Sequence, residues 1–582
     1  MSTLREIVAC GAELASSRFY MGLSPDEHLD NNDDPKARAE DMLVARFLDK
    51  VDSDHERMHG FLRDESARLQ REGAALLGHE VAAKLHALGS GQVLHWLCCW
   101  IEQLLAKKLN HFGRLLPVGP DHSAPGVIDD YQGRLKALAD SMHEGFGGAP
   151  GSIPVGFVFF GQFIDHDITL DAVTQLSDHG VDVEGIMNLR TPALDLDSLY
   201  RDGPEASPYL YDQRRAPGYL LTGPDCRDLP RNSQGRALIG DPRNDENAFV
   251  SQLHLQLLLF HNGIRRLIEH SNVDSVFGRR AGEDDFNFAR RMTRWHYQWI
   301  VVNEYLPHIV SPAALDAAHA ITGVPKGTTL VPPLAAASPF AKAGKVLQQQ
   351  SWVDCCGARR CGVVIPVEFS GAAFRFAHSQ VPGRLDINDA RLNIPLFVPS
   401  PPAPGAFNPA SSAVDWRRFF ALQGSAPQLA RPIDTFLDAQ LFQLPFAADE
   451  PSLALRNLMR STLTYRVASA EQASAVLGLP LTLSQAGKDQ LKLAGLPGPY
   501  GTPLWFYVLA EAAASGGKLG PIGGLLVAWT LLNMLRCDRS SYVHEATPWK
   551  PVMLVSSPGA FTMADLLHIA EGERVDACPP SA

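Results

Sequence analysis

The segment Gly161-Gln162-Phe163-Ile164-Asp165-His166-Asp167-Ile168-Thr169 follows directly on the apolar run Val155 to Phe160 and sets an amide, two carboxylates and an imidazole beside it. Unpaired buried charge is very costly, so a fold that buries this cluster must supply charge partners, a metal or a ligand. On a helix, Gln162 and His166 are four apart and share a face, while Asp165, His166 and Asp167 fan out by about 100° per step. One short helix can therefore aim Gln162 and His166 into a cavity, place Asp165 at its edge and turn Asp167 towards a separate cation. Taken alone, the same residues also suit an amphipathic helix with solvated aspartates and a core histidine.

Further along the chain, Asp241-Pro242-Arg243-Asn244-Asp245-Glu246 reads as a helix start, with Asp241 as N-cap and Pro242 at the first position. Phe249, Val250, Leu253, Leu257, Phe260, Ile264 and Leu267 then recur at helical spacing and predict a long buried helix. Arg243 and Glu246, three apart, lie on one face near its start. Two more segments stand out, Phe374-Arg375-Phe376-Ala377-His378 and Leu455-Arg456-Asn457-Leu458-Met459-Arg460. A histidine among aromatic and small residues can ligate a metal through one ring nitrogen while the other donates a hydrogen bond, and Asn457 is a candidate acceptor. A core histidine and a helix-surface asparagine account for the same residues equally simply.

In this order the four segments resemble the animal-type haem peroxidase family of the peroxidase/cyclooxygenase superfamily. The resemblance runs from about Val118 to Ala570 and includes Tyr297-Gln298-Trp299-Ile300-Val301-Val302-Asn303-Glu304-Tyr305-Leu306-Pro307 and Leu519-Gly520-Pro521-Ile522-Gly523-Gly524. It implies a mainly α-helical fold, a haem peroxidase domain over residues 117–582, and haem b or ester-linked haem as cofactor. His378 is then the expected proximal iron ligand and Asn457 its hydrogen-bond partner. His166 is the expected distal base, Arg243 the stabiliser of charge developing on peroxide, and Gln162 the holder of distal water or halide. Asp165 and Glu246 fall where family members form esters to haem methyl groups, and Arg375 and Arg460 are expected to bind the cofactor. Asn247, not a methionine, follows Glu246, so a sulfonium link is not available. The resemblance also implies calcium, with Asp167 joined by the turn Thr191, Ala193, Asp195 and Asp197; hard oxygen donors suit that ion. This turn is not an EF-hand, because Leu196 stands where the sharp-turn glycine is needed.

The expected activity is reduction of hydrogen peroxide with oxidation of a halide, a pseudohalide or a small aromatic donor. One alternative is a fatty-acid oxygenase of the same superfamily, which uses a tyrosyl radical three residues before the proximal histidine. That position is Arg375, which cannot form one, and Tyr297 and Tyr305 belong to another segment. A haem-binding protein without turnover is a second alternative, disfavoured by the presence of every residue named above. A non-haem metal hydrolase is a third; it needs more histidine ligands, and His254, His261 and His296 lie on apolar helices that read as core.

Over 582 residues the hydrophobic fraction is 45% and the charged fraction 20%, as in ordinary soluble proteins, and the net charge of -12 disfavours nucleic acid as a partner. Residues 1–116 read as an additional helical region, with periodicity over Glu40 to Leu48, Glu56 to Leu77 and Val81 to Leu109. Its apolar face (Leu94, Trp96, Leu97, Trp100, Ile101, Leu104, Leu105) suits packing or an oligomer contact better than a membrane surface. Pro117 to Pro125 reads as a linker, and Asp202 to Gln234 and Pro399 to Pro409 as loops. Arg5, Glu6 and Glu13 interrupt any signal-like apolar stretch. The nine cysteines, including Cys98-Cys99 and Cys355-Cys356, do not resemble a disulfide framework. These features predict a cytoplasmic setting, with export lacking a cleaved signal as the other route. Pro521 to Leu535, interrupted by Gly523, Gly524 and Asn533, reads as a buried helix and not a membrane span.

Overall fold

The computed structural model describes residues 112–577, apart from 144–150, 272–277, 354–358, 362–363, 398–412, 552–560 and a few isolated positions, together with residues 64, 67 and 68. Apart from residues 64, 67 and 68, which are helical, the segments and apolar face expected before residue 112 lie outside the described residues, as do Cys98-Cys99, Cys355-Cys356 and the Pro399 to Pro409 loop. The chain divides into two compact units, residues 1–110 with 350–362, and residues 111–349 with 363–582. In the first, Ser351–Val353 pairs antiparallel with Arg359–Cys361.

The second unit is mainly α-helical. Among its helices, those that matter for the site and its support are, in chain order, α1 (Val127–Ser141), α2 (Gly156–Ile168), α3 (Ala248–His270), α4 (Asp285–Ile300), α5 (Pro312–Thr322), α6 (Leu453–Met459), α7 (Leu504–Ala514), α8 (Pro521–Cys537) and α9 (Met563–Ala577). Strand β1 (Phe112–Gly113) pairs in parallel with β2 (Ile365–Pro366). Buried Glu368 accepts from the Leu115 and Leu116 amides at 3.0 Å each, which ties the start of this unit to its centre. Among the described residues no helix is long and apolar enough to cross a membrane.

The Phe-rich start of α2 anchors the whole site. Phe159 stacks on Phe249 of α3 (4.5 Å), Phe160 meets Tyr297 of α4 edge-on (5.9 Å), and Phe163 meets both Tyr297 and His254. Burying each such ring contributes about 1.5–3 kcal/mol, enough to fix the helix against its neighbours before any polar contact forms. α3 is buried from Ala248 to Arg265, as its periodicity predicts. α4 runs on through a π-turn at Val301–Tyr305 into Leu306–Ile309. Pro307 has no N–H for the Asn303 carbonyl, so the ladder shifts by one residue there.

The Leu519-to-Gly524 stretch owes its glycines to a carboxylate. Buried Glu511 accepts from the Ile522 and Gly523 amides (2.9 and 2.8 Å) at the start of α8, and a Cβ on Gly520 would lie 2.5 Å from the Glu511 side chain. Cys226 is disulfide-bonded. One bonded cysteine does not make the disulfide framework that the sequence argues against, though a stable disulfide is uncommon in a reducing compartment.

Candidate active site

Every residue of α2 is buried except Gln162 and Asp165, three apart on one edge, so the helix opens only along that line. His166, next to Asp165, is 6% exposed. Its Nδ1 lies 2.8 Å from Oδ1 of the buried Asn244. Burial, then the Arg243 guanidinium, pushes the imidazole down to about 4, so it is neutral at ordinary pH. Its Nε2 makes no hydrogen bond among the described residues, and Glu246 Oε1 approaches it only to 3.9 Å.

Asp241 caps the turn that follows the loop, its carboxylate accepting from the Arg243 amide at 2.9 Å. The same carboxylate, fully buried, takes Arg243 Nη2 at 2.7 Å and Arg190 Nε at 3.3 Å. Burial would raise Asp241; the bonds and charge of Arg243 and Arg190 overcome it and hold the carboxyl below its usual range. Arg243 Nη2 also donates to the carbonyls of His166 (3.0 Å) and Thr169 (2.6 Å). The guanidinium thus clamps the end of α2, and among the described residues Nη1 is the donor left over. Glu246 is 47% exposed at its side chain, yet burial of the rest pushes it up to about 7, against Arg243.

Gln162 is already engaged, donating to Glu246 and accepting from Asn247 Nδ2 at 3.3 Å. Asn247 also caps α3, its oxygen taking the Phe249 and Val250 amides (3.1 and 3.0 Å).

On the other wall, His378 lies in the turn Ala373–Ser379, which packs against α2. Its Nδ1 is 2.7 Å from Asn457 Nδ2, and Asn457 Oδ1 faces Arg375 Nη1 at 3.4 Å. Here the structure differs from the expected arrangement, in which Asn457 accepts from the histidine. Arg375, a cation, draws the amide oxygen to itself and leaves the amide N–H for the ring. Burial, then Arg375, pushes His378 down to about 3, while its ring keeps an accessible face. Arg375 is held at Ser370 O (2.8 Å) and lowered by burial and by the neighbouring Arg460; Asp165 across the cleft acts on it in the opposite sense. Arg460 contacts the Tyr465 hydroxyl at 3.3 Å and Asp171 at 4.0 Å. His166, Arg243, Glu246 and Asp165 are therefore gathered on and around α2, and His378, Asn457, Arg375 and Arg460 on and around the turn that packs against it. The small cavity among Pro120, His122, Tyr131 and Tyr500 contains none of them.

Tyr305 is placed against this wall, edge-on to Phe374 with centroids 6.5 Å apart. Its hydroxyl seats on Gly161, where a Cβ would be 2.4 Å away, and the residue is 1% exposed.

Asp167 is wholly buried; Oδ2 takes the Leu196 amide at 3.3 Å, and Oδ1 makes no well-formed hydrogen bond, although the Tyr297 hydroxyl lies close enough to act on the carboxylate. Burial, then Asp195 and Asp197, raise its carboxyl well above the usual range. Leu196 adopts the left-handed conformation (φ 59°), the turn that the sequence lacks a glycine for. Thr191 Oγ1 donates to Asp195 at 2.8 Å, and Ala193 lies on the same half-buried turn. Asp197 instead pairs with Arg190 at 2.5 Å. Among the described residues no three His, Cys, Asp or Glu side chains are grouped to hold a metal, so the expected cage is not closed. The donor chemistry and the buried Asp167 carboxylate suit a hard cation; Asp197 is held away by Arg190.

Sequence reasoning passed over Asn244, Asn247, Asp241 as a ligand of Arg243, and His254. An asparagine before a helical run signals a cap, which was available for Asn247; Asn244 and His254 carry no local signal.

The family model for animal haem peroxidase matches residues 182–451, which include Arg243, Glu246 and His378. Chorion peroxidase of Drosophila melanogaster is 26% identical over 357 residues, 59% of this chain and 39% of that protein. The chain therefore spans about two fifths of the length of that relative. Among solved structures, peroxidase A from Dictyostelium discoideum aligns with a TM-score of 0.51 at 17% identity, covering 74% of this chain and 88% of its own. Fatty acid alpha-dioxygenase from Arabidopsis thaliana aligns with a TM-score of 0.50 at 14% identity, covering 94% and 95%. Residues 182–451 thus match the animal haem peroxidase model, and the chain is similar to that family. Its fold is that of the peroxidase and dioxygenase structures it aligns with.

Proposed function

We propose that this protein is a haem peroxidase that reduces hydrogen peroxide at the expense of a halide, a pseudohalide or a small aromatic donor. One observation carries the reading: two histidines, one on α2 and one on the turn that packs against it, are each engaged at Nδ1 by an asparagine, which leaves both Nε2 atoms for chemistry. Core histidines here look different. His261 is satisfied at both nitrogens, and His296 and His319 bond a carbonyl through Nδ1 with Nε2 sealed.

Haem fits the donor set. His378 Nε2 would hold the iron, and Arg375 and Arg460, two guanidinium groups beside one another, would hold the propionates. Asp165 and Glu246, the carboxyls on the opening, would form the esters. Iron ligation at Nε2 calls for a proton on Nδ1, so Asn457 would turn to present Oδ1. Haem, when bound, supplies a two-electron reservoir.

The protein's part is proton handling and charge. With Nδ1–H given to Asn244, neutral His166 has a lone pair on Nε2 that takes a proton from hydrogen peroxide and returns it to the leaving oxygen. Arg243, clamped by Asp241, offers Nη1 to the oxygen that gains charge. Gln162 keeps Glu246 in place. Calcium at Asp167 and Asp195, with Thr191, would neutralise the crowded carboxylates behind α2.

Lipid oxygenation is disfavoured because Arg375 occupies the radical position and Tyr305, almost wholly covered, cannot meet a substrate. The test is a steady-state screen of haem-loaded protein with peroxide against bromide, iodide, thiocyanate and phenols, beside oxygen uptake with linoleate. Turnover of one donor, abolished by His166→Leu, is expected. Oxygen uptake with linoleate and no peroxide-dependent turnover would overturn the reading.

A further inference from the structure

His254, on the second turn of α3, is an imidazole where packing alone asks for an apolar ring. It is fully buried, Phe163 lies edge-on to it at 5.9 Å, and its Nε2 has no partner. Leaving a buried polar atom unpaired costs about 1–3 kcal/mol, which a leucine or phenylalanine would not incur. Its one polar contact is the amide nitrogen of Asn244, 3.1 Å from His254 Nδ1, and the oxygen of that same amide is 2.8 Å from His166 Nδ1.

An amide oxygen only accepts and an amide nitrogen only donates, so Asn244 couples the two rings. In the observed orientation His254 Nδ1 accepts and its proton is on Nε2; His166 Nδ1 donates and its Nε2 is unprotonated. Were the amide turned over, both tautomers would reverse, and His166 would present an N–H where a base is needed. Among the described residues no other hydrogen bond reaches the Asn244 side chain, so the two rings between them fix the orientation of the amide. Burial pushes His254 down to about 3 and keeps it neutral, which leaves its Nδ1 lone pair to accept from the amide.

We propose that His254 is a positioning residue that, through the Asn244 amide, holds His166 in the Nδ1–H tautomer. The tautomer assignment stands on its own; its consequence for peroxide rests on the peroxidase reading above.

The test uses the full chain with ¹⁵N-labelled imidazoles, the His166 signals being assigned by their loss in His166→Gln. In the native protein His166 shows a protonated Nδ1 and an unprotonated Nε2. His254→Leu removes the acceptor, and a population with protonated Nε2 appears. His254→Gln puts an amide oxygen before Asn244 and restores the native pattern. Asn244→Asp leaves a carboxylate that accepts from both rings, so His166 keeps its Nδ1 proton and His254 moves its proton from Nε2 to Nδ1. That outcome is read without His254→Leu, should the latter fail to fold.

In haem-loaded protein the second-order rate with peroxide falls about 10-fold or more in His254→Leu, less than the roughly 10²–10⁴-fold a positioned base contributes because part of the population keeps the native tautomer, and recovers in His254→Gln. Unchanged His166 signals in His254→Leu, or a His254 that keeps its Nε2 proton in Asn244→Asp, would overturn the proposal. If the tautomers respond as described while His166→Gln itself leaves the peroxide rate untouched, the coupling is upheld and the peroxidase reading fails.

Discussion

Arg231 is the residue whose loss should most disturb the site without touching it. Its side chain is 1% exposed and it bridges two carboxylates, Asp228 (2.8 and 3.1 Å) and Asp245 (2.6 and 2.8 Å), while Nη1 also donates to Gly235 O. These bonds close the loop that delivers Asp241, Arg243, Asn244 and Glu246. Burial would lower the guanidinium, but the two carboxylates outweigh it and raise it above its usual value. Arg231→Met keeps the volume and strands two acids, Asp228 being fully buried. Removing one partner of a buried ion pair costs about 3–5 kcal/mol.

Unfolding entropy of about 2.1 cal/mol/K per residue over a body of roughly 450 residues amounts to about 1 kcal/mol/K, so the melting temperature should fall by about 3–5 °C. Calorimetry on the purified variant measures this. Asp245→Asn in the same background should cost less than it does alone, with a coupling of about 1–3 kcal/mol, because the charge it removes has already lost its cation. An Arg231→Met variant within about 1 kcal/mol of the native protein, or additive single losses, would refute the claim that this network holds the loop.

Glu304 gives a pH signature away from the site: burial raises it to about 7, with the Met563 amide at 2.7 Å acting in the other direction. A raised carboxyl favours the folded state below the unfolded value near 4.5 and loses that contribution as pH climbs towards 7; Glu304→Gln should flatten stability across that window by on the order of 2 kcal/mol, and an unchanged slope would count against it. Calcium should raise the melting temperature of chelator-treated protein, and Asp167→Asn should abolish the rise; an equal rise in both places the ion elsewhere. Haem should remain with the chain in acid and denaturant, and release of all haem from both Asp165→Asn and the native protein would remove the ester proposal.

What could be read beforehand divides along a physical line. α2, its Phe anchors and the burial of α3 are local or periodic properties, carried by residues a few positions apart, and the structure has them where the pattern puts them; Asp241, expected to cap the long helix, instead caps a separate turn, Pro242–Asp245, and α3 starts at Ala248 under Asn247. Side-chain hydrogen-bond partners are not local. Asn457 lies 79 positions from His378, and only the folded chain shows that Arg375 competes for its oxygen. Asp197 suits a cation by composition, yet Arg190, seven residues earlier, reaches it first. Arg190 then shares Asp241 with Arg243, so the clamp on the distal helix and the acidic turn belong to one chain of charges, Arg243–Asp241–Arg190–Asp197. A cation that drew Asp197 away would leave Arg190 wholly to Asp241 and weaken that carboxylate's hold on Arg243. The two halves of the site that composition suggested as separate are therefore coupled through residues neither half advertised.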